Sequence, residues 1–508
     1  MLVLTLFASG CATLPDNGSR VASYALTATD NTALAKKFGT YVAPGESASG
    51  FVLLTGGLDA FVARAALVAQ AERSIDAQYY LWHDDLVGLS LLAMLSDAAD
   101  RGVRVRLLLD DIDLRGSDAA LAALDAHPNF SVRVFNPFSR RVSRARQYLS
   151  RFGSVTRRMH NKSFTVDNQV TVVGGRNIGD EYFEADPKVS FGDLDAMAIG
   201  PVVRDVSLSF DQYWNNALSY PVALLAKRPP GEEESARLKQ FLAEHIRRNE
   251  SSVYADALRN SEFVDLLRDD KLEFHWGNAR LIADEADKLA RSRDRTDLHM
   301  AGEIAAAFAE ARNEVVIFSP YFIPGEEGTD GLVNLARSGV RVRVLTNSLA
   351  SNNHSVVHAK YARYRKPLLR AGVEIYEAKA GSGALPRAEN PFGSSKETVL
   401  HAKSFLIDRR YLFVGSLNFD PRSFTENSEI GIVFESPELA AQIGGWFDDE
   451  VASVAYRLAL DPDGRDALLW IDASKPEGVN VLRKEPETSW WDRFSMRLMS
   501  WLPIESQL

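Results

Sequence analysis

A chain of 508 residues is longer than one hydrophobic core usually supports, so two domains are expected. A formal charge of −10 excludes a protein that coats nucleic acid with its whole surface, while 46% hydrophobic residues is an ordinary folded composition. The single cysteine, Cys11, excludes an intramolecular disulfide and a cysteine-built metal site, so packing must hold the fold.

Residues 1–45 read as a leader and linker. LVLTLFASGCATLP resembles a bacterial lipoprotein signal: a short apolar segment ends in small residues before Cys11, whose sulfur would carry lipid after cleavage. No Lys or Arg precedes the run. No later stretch of about 20 apolar residues is present to span a bilayer, so membrane attachment would be by anchor or surface contact.

Residues 46–225 read as a first α/β domain. DAFVARAALVAQAER from Asp59 has apolar spacing of about 3.6 residues and predicts a helix. ERSIDAQYYLW from Glu72 and RGVRVRLLLDD from Arg101 contain short Val, Ile and Leu-rich runs, as strands buried on both faces do. The loop LLLDDIDLRG from Leu107 is expected to touch no catalytic position. Between Arg140 and Arg158 lie seven arginines and no acidic residue, a run that suits nucleic-acid phosphates, anionic lipid head groups or a solvated face. MHNKSFTVDNQVTVVGGRN follows from Met159, carrying H-x-K-x-x-x-x-D and then G-G-x-N; DLDAMAIGP begins at Asp193.

Residues 226–295 read as a helical connector packed on the outside, and 296–455 repeat the plan of the first domain. RNEVVIFSPYFIP from Arg312, RSGVRVRVLTNS from Arg337, LHAKSFLIDRRYLFVGSLN from Leu400 and EIGIVFESP from Glu429 match their counterparts at an offset of about 240 residues. This pairs Arg104 with Arg341, His160 with His401, Asn177 with Asn418, and Asp193 with Glu429. VVHAKYARYRK also spaces His358 and Lys360 by two, but Arg365 follows where Asp is needed and no Gly-x-x-Asn comes after, so a helical surface segment is expected. The tail, 456–508, ends in SWWDRFSMRLMSWLPI, where indoles and arginines at helical spacing suit a membrane interface or a helix docked on the core.

If the halves pack face to face, His160, His401, Lys162, Lys403, Asn177 and Asn418 converge on one point. Such an array of donors fits the anionic oxygens of a phosphodiester and calls for no Mg²⁺ and no cofactor. One histidine would attack phosphorus to form a phosphohistidine, and the other would protonate the leaving oxygen. A carboxylate on the far ring nitrogen fixes the imidazole tautomer; Asp193 and Glu429 are the candidates, with Asp195 a near rival. Asp167 and Asp408 complete the catalytic motif and, at the strand ends, are suited to holding its loop. Gly175 and Ser416 are small enough to let backbone approach the phosphate.

On these motifs the chain resembles the phospholipase D superfamily, with its duplicated H-x-K-x-x-x-x-D and following G-[GS]-x-N, from about Asp59 to Phe447. RRMHNKSFTVDNQVTVVGGRNIGDEYF, VRVLTNSLA, VGSLNFDPRSF and the closing SWLPIE are similar to the bacterial cardiolipin synthase C group. The resemblance implies two α/β domains, each a mixed sheet flanked by helices, packed as a pseudo-dimer around one active site. It implies a phosphatidyltransferase, with phosphatidylethanolamine as donor, phosphatidylglycerol as acceptor, His160 as nucleophile and His401 as acid and base; the reverse assignment stays open. A hydrolytic phospholipase D or a nuclease, with water as acceptor, is the alternative. Phospholipids and a membrane surface are the implied partners, without nucleic acid, and a small accessory protein stays open. The implied place is the bacterial cell envelope, facing the periplasm if Cys11 is lipidated.

Overall fold

Runs of Val, Ile, Leu and Phe form the strands that position the site. The computed structural model describes residues 13–41, 43–352, 355–381, 397–464, 466–474 and 478–501, so Cys11 and the last residues of the SWLPIE motif lie outside the described residues. In the first half the strands lie in the order Ser219–Pro221, Phe130–Phe135, Arg104–Asp110, Ser74–Tyr79, Ser163–Val166, Val170–Gly174, Asp195–Ile199 and Ala48–Leu54. The run from Phe130–Phe135 to Ser74–Tyr79 is parallel and the other pairings are antiparallel, giving a mixed sheet.

The second half repeats this order with His275–Ala283, Ile430–Glu435, Tyr411–Gly415, Ser404–Ile407, Glu314–Phe318, Arg341–Asn347, Glu374–Ala378 and Ala455–Leu460. Leu468–Asp472 and Asn480–Leu482 extend its far edge. Helices Gly57–Gln70, Leu86–Asp100 and Val202–Asn215 flank the first sheet; Ala301–Ala309, Gly325–Arg337 and Pro437–Val454 flank the second.

The two sheets meet edge to edge, Ala48–Phe51 running antiparallel to His275–Asn278. Behind this seam Phe51 stacks on Phe434 at 4.1 Å between ring centroids, and Val173, Ala196, Val414 and Ile432 join them in one buried cluster. Apolar burial from both halves therefore fixes their relative placement. The connector is helical over Glu232–Asn249, Val253–Arg259 and Glu262–Arg268. His275–Ala283, expected within that helical stretch, is instead the first strand of the second sheet. Only Ile282 in it is fully buried, so hydrophobic patterning did not mark it; pairing along both edges holds it in place.

Candidate active site

Each motif strand is the outgoing arm of a hairpin. Ser163–Val166 turns at Asp167 and Asn168, and Ser404–Ile407 at Asp408 and Arg409, all four with φ between 51° and 53°. Paired left-handed residues match a tight turn to the strand twist. Asp167 accepts amide hydrogens from Glu72, Arg73 and Ser74, and Asp408 from Arg312, Asn313 and Glu314. Both aspartates thus sit at the opposite end of the strand from the histidine. They tie the motif to its neighbouring strand and are not among the residues lining the cavity.

At the other end, His160–Lys162 and His401–Lys403 are extended residues leading into the strands, and each is bonded to the opposite half. The His160 amide donates to Ser428 O at 2.9 Å, and the Ser428 amide donates back to Arg158 O. Glu397–Leu400 forms a parallel pair with Val189–Gly192, and the His401 amide donates to Gly192 O at 2.7 Å. Ser428 and Gly192 immediately precede Glu429 and Asp193. The backbone bonds therefore deliver each carboxylate to the other half's imidazole: His160 Nδ1 lies 2.8 Å from Glu429 Oε2, and His401 Nδ1 lies 2.5 Å from Asp193 Oδ2. The pairs are crossed.

The two pairs differ electrically. Burial, with Lys162 and Lys403 nearby, holds the His160 imidazole well below its ordinary value, and burial beside Lys403 also lowers His401. Burial lifts Glu429 to about 7, despite Lys162. Burial would raise Asp193 too, but the charge of His401 and its hydrogen bond bring it below the ordinary carboxylate value. His401 therefore faces an ionised partner and His160 one raised toward neutrality, while burial favours the neutral imidazole at both histidines. Burial also lowers Lys162 to about 7 and Lys403 to about 8.

The histidines open on a cavity of about 430 Å³ lined by both halves, including Tyr80, Asn177, Tyr182, Asn418, Asp420 and Arg422. Lys162 and Lys403 each donate to the carbonyl of their own histidine at 2.7 Å, and Lys403 Nζ lies 3.2 Å from His401 Nε2. Asn177 is held by the Leu81 amide and the Tyr182 hydroxyl, while Asn418 Oδ1 is buried without a partner among the described residues.

Residues 65–196 and 304–451 match the family described as cardiolipin synthase, PLD-like domain. The chain belongs to the phospholipase D superfamily. It is 42% identical to "Cardiolipin synthase C" of Escherichia coli (strain K12), over 90% of this chain and 95% of that protein. It is 33% identical to an uncharacterized protein of Helicobacter pylori (strain ATCC 700392 / 26695), over 91% of this chain and 89% of that protein. Among solved structures, phosphatidylserine synthase of Haemophilus influenzae Rd KW20 superposes with a TM-score of 0.52 at 13% identity, covering 88% of this chain and 91% of that one, a likeness of fold.

Within this phospholipase D fold several side chains depart from their expected roles. Asp195 bonds Arg64 at 2.8 Å, and Asp193 is the carboxylate that meets His401. Gly175 makes room for a carboxylate rather than a phosphate: a Cβ there would lie 2.2 Å from Asp193 Oδ1. Gly175→Ala is expected to displace Asp193 from His401 and lower turnover roughly 10²-fold, measured as kcat. Ser416, its counterpart, donates to Glu429 Oε2 at 2.5 Å, the same oxygen that meets His160. The loop at Asp110, expected to touch no catalytic position, holds the Met159 amide at 2.9 Å, one residue before His160. Asn347 likewise grips both backbone groups of Leu400, so the residue before each motif histidine is fixed by a strand end.

Two clamps escaped sequence reasoning. Arg176 donates to Asp193 O, and Asp284, buried against Lys288 at 2.9 Å, accepts the Glu429 amide. Lys288 also donates to Ser423 O and Phe424 O, tying the helix beside Arg422 to the same point. Arg176 is the variable position of G-G-x-N, matched by Leu417 in the second copy, and Lys288 lies in the connector, so no motif marked either.

His358 and Lys360 lie on helix Ser355–Tyr361, yet both are buried, correcting the expected surface placement. The C-terminal helix covers them, and Arg365 bridges His358 to Glu377 and Glu485. Of the seven arginines, Arg140, Arg144, Arg151, Arg157 and Arg158 bond protein groups through their side chains. Among the described residues, His83, Asp85 and Glu181 could draw around a metal ion. Asp85 already accepts the Gly88 and Asp180 amides, and the bond to Glu181 lifts His83 to about 9. No helix of the described residues is long and apolar enough to cross a membrane.

Proposed function

We propose that this enzyme is a phosphatidyltransferase that makes cardiolipin in the bacterial cell envelope, with phosphatidylethanolamine as donor and phosphatidylglycerol as acceptor. The observation that carries this is the pair of crossed imidazole–carboxylate couples facing one cavity; the 42% identity to "Cardiolipin synthase C" supports the lipid substrate. His160 attacks phosphorus, and His401 gives a proton to the departing head-group oxygen. The phosphatidylglycerol hydroxyl then returns a proton to His401 as its oxygen attacks phosphorus and frees His160. Lys162, Lys403 and the Asn177 and Asn418 amides hold the non-bridging oxygens, so no step calls on a metal. The substrates lie in a bilayer, so the enzyme works at a membrane surface; lipidation of Cys11 would tether it there.

Lipid mass spectrometry of the purified chain with phosphatidylglycerol vesicles, with and without phosphatidylethanolamine, tests this. Cardiolipin that depends on phosphatidylethanolamine and persists in EDTA is expected. Phosphatidic acid without cardiolipin would make water the acceptor and the enzyme a hydrolase.

The lysines give a pH prediction. With their values lowered to about 7 and about 8, Lys162 and Lys403 are cations below those values and lose charge as pH rises through them. Competitive inhibition by inorganic phosphate is therefore expected to weaken progressively between about pH 7 and 8.5. Inhibition that holds undiminished to about pH 10 would mean ordinary lysines and would contradict the account.

A further inference from the structure

Two exposed apolar patches, one from each half, abut different walls of the catalytic cavity. The C-terminal helix Trp490–Ser500 shows Trp490, Trp491, Phe494 and Leu498 to solvent, and Trp501 beyond it is 85% exposed. This helix packs on Ser355–Tyr361, with Lys360 Nζ donating to Ser500 O at 2.9 Å, and Val356 and Val357 of the latter helix line the cavity. In the first half, helix Arg144–Ser150 and the turn after it expose Leu149 (86%) and Phe152 (61%). The chain then runs to Thr156, whose carbonyl accepts from the cavity residue Arg422 at 2.6 Å, and on to His160.

The first-half patch is cationic on a chain whose net charge is −10, and the tail patch sets an arginine among its apolar side chains. Arg141 and Arg146 are exposed beside Leu149, in a segment without an acidic residue, and Arg497 is exposed beside Leu498; Asp492 and Glu487 are the nearby exposed acids of the tail. Soluble proteins rarely leave contiguous large apolar side chains in water. Indoles and leucines interleaved with arginine match the boundary of an anionic bilayer, where rings sit among head groups and guanidinium groups meet phosphates.

We propose that the two patches together form a membrane-docking face that seats the cavity on an anionic bilayer. A phospholipid head group then reaches His160 and His401 without leaving the interface. This rests on the phospholipid substrate proposed above. The test floats the full chain with phosphatidylcholine vesicles, with and without phosphatidylglycerol, beside the double variants Leu149→Ser with Phe152→Ser and Trp491→Ser with Leu498→Ser. Each pair should lower binding to anionic vesicles roughly tenfold, since each side chain withdrawn from lipid forfeits apolar burial. Turnover on vesicles should fall with it, while turnover of a monomeric short-chain phosphodiester stays unchanged. Variants that bind like the wild type would overturn the proposal and leave the patches to a protein partner, and equal loss on the monomeric substrate would overturn it by placing these residues in the site. Equal wild-type binding to vesicles lacking phosphatidylglycerol would overturn its anionic part. Docking by a wild type that transfers no phosphatidyl group would sustain the face and refute the transferase instead.

Discussion

His160→Ala and His401→Ala are each expected to lower phosphatidyl transfer by roughly 10⁴-fold or more, because residues that act as one unit lose nearly everything together. The variants should nevertheless separate on a phosphodiester whose leaving group is nitrophenolate, which departs without a proton. His401→Ala keeps the nucleophile and loses only the acid, so it is expected to release a burst of nitrophenol and then stall, since no base activates the acceptor. His160→Ala should show no burst. The asymmetry of the partners motivates the order: Asp193 stays ionised beside His401, while Glu429 is lifted to about 7 beside His160. A burst from His160→Ala alone would exchange the two roles.

Glu429→Gln and Asp193→Asn are expected to cost roughly 10²–10⁴-fold each, the loss that follows when an imidazole is left in the wrong tautomer. The effects should cross between the halves. Glu429 lies in the second half but bonds His160, so Glu429→Gln should abolish the nitrophenol burst as His160→Ala does. Asp193 lies in the first half but bonds His401, so Asp193→Asn should keep the burst and lose the second step. Stopped-flow release of nitrophenol separates these outcomes. A burst lost in Asp193→Asn and kept in Glu429→Gln would contradict the crossed geometry.

Much of this site was legible in the sequence because the fold is a duplication. His160 with His401, Lys162 with Lys403 and Asn177 with Asn418 stand at matched positions, and matched positions in two similar sheets come to face one another. The downstream acids could be placed by the same alignment. Their crossing could not, because it depends on Gly192 and Ser428 bonding the opposite motif's backbone, contacts more than 200 residues apart with no side-chain signature. The roles of Gly175 and Asp110 were hidden for a related reason: each acts on a neighbour that only packing supplies. His275–Ala283 escaped because a strand stabilised along its edges need not alternate apolar and polar residues. His358 shows the converse. The missing downstream Asp and Gly-x-x-Asn set it apart from the motif histidines, but the sequence implied exposure where the tail helix covers it.

The account turns on a covalent phosphatidyl group carried by one histidine. Incubating His401→Ala with vesicles of a phosphatidyl nitrophenol, whose leaving group departs without a proton, quenching without acid and mapping peptides by mass spectrometry tests this most directly. The account predicts a phosphatidyl adduct on the peptide containing His160, absent from His160→Ala and from Glu429→Gln. An adduct on the His401 peptide of the wild type, or turnover of the wild type with no adduct on either peptide, would contradict it.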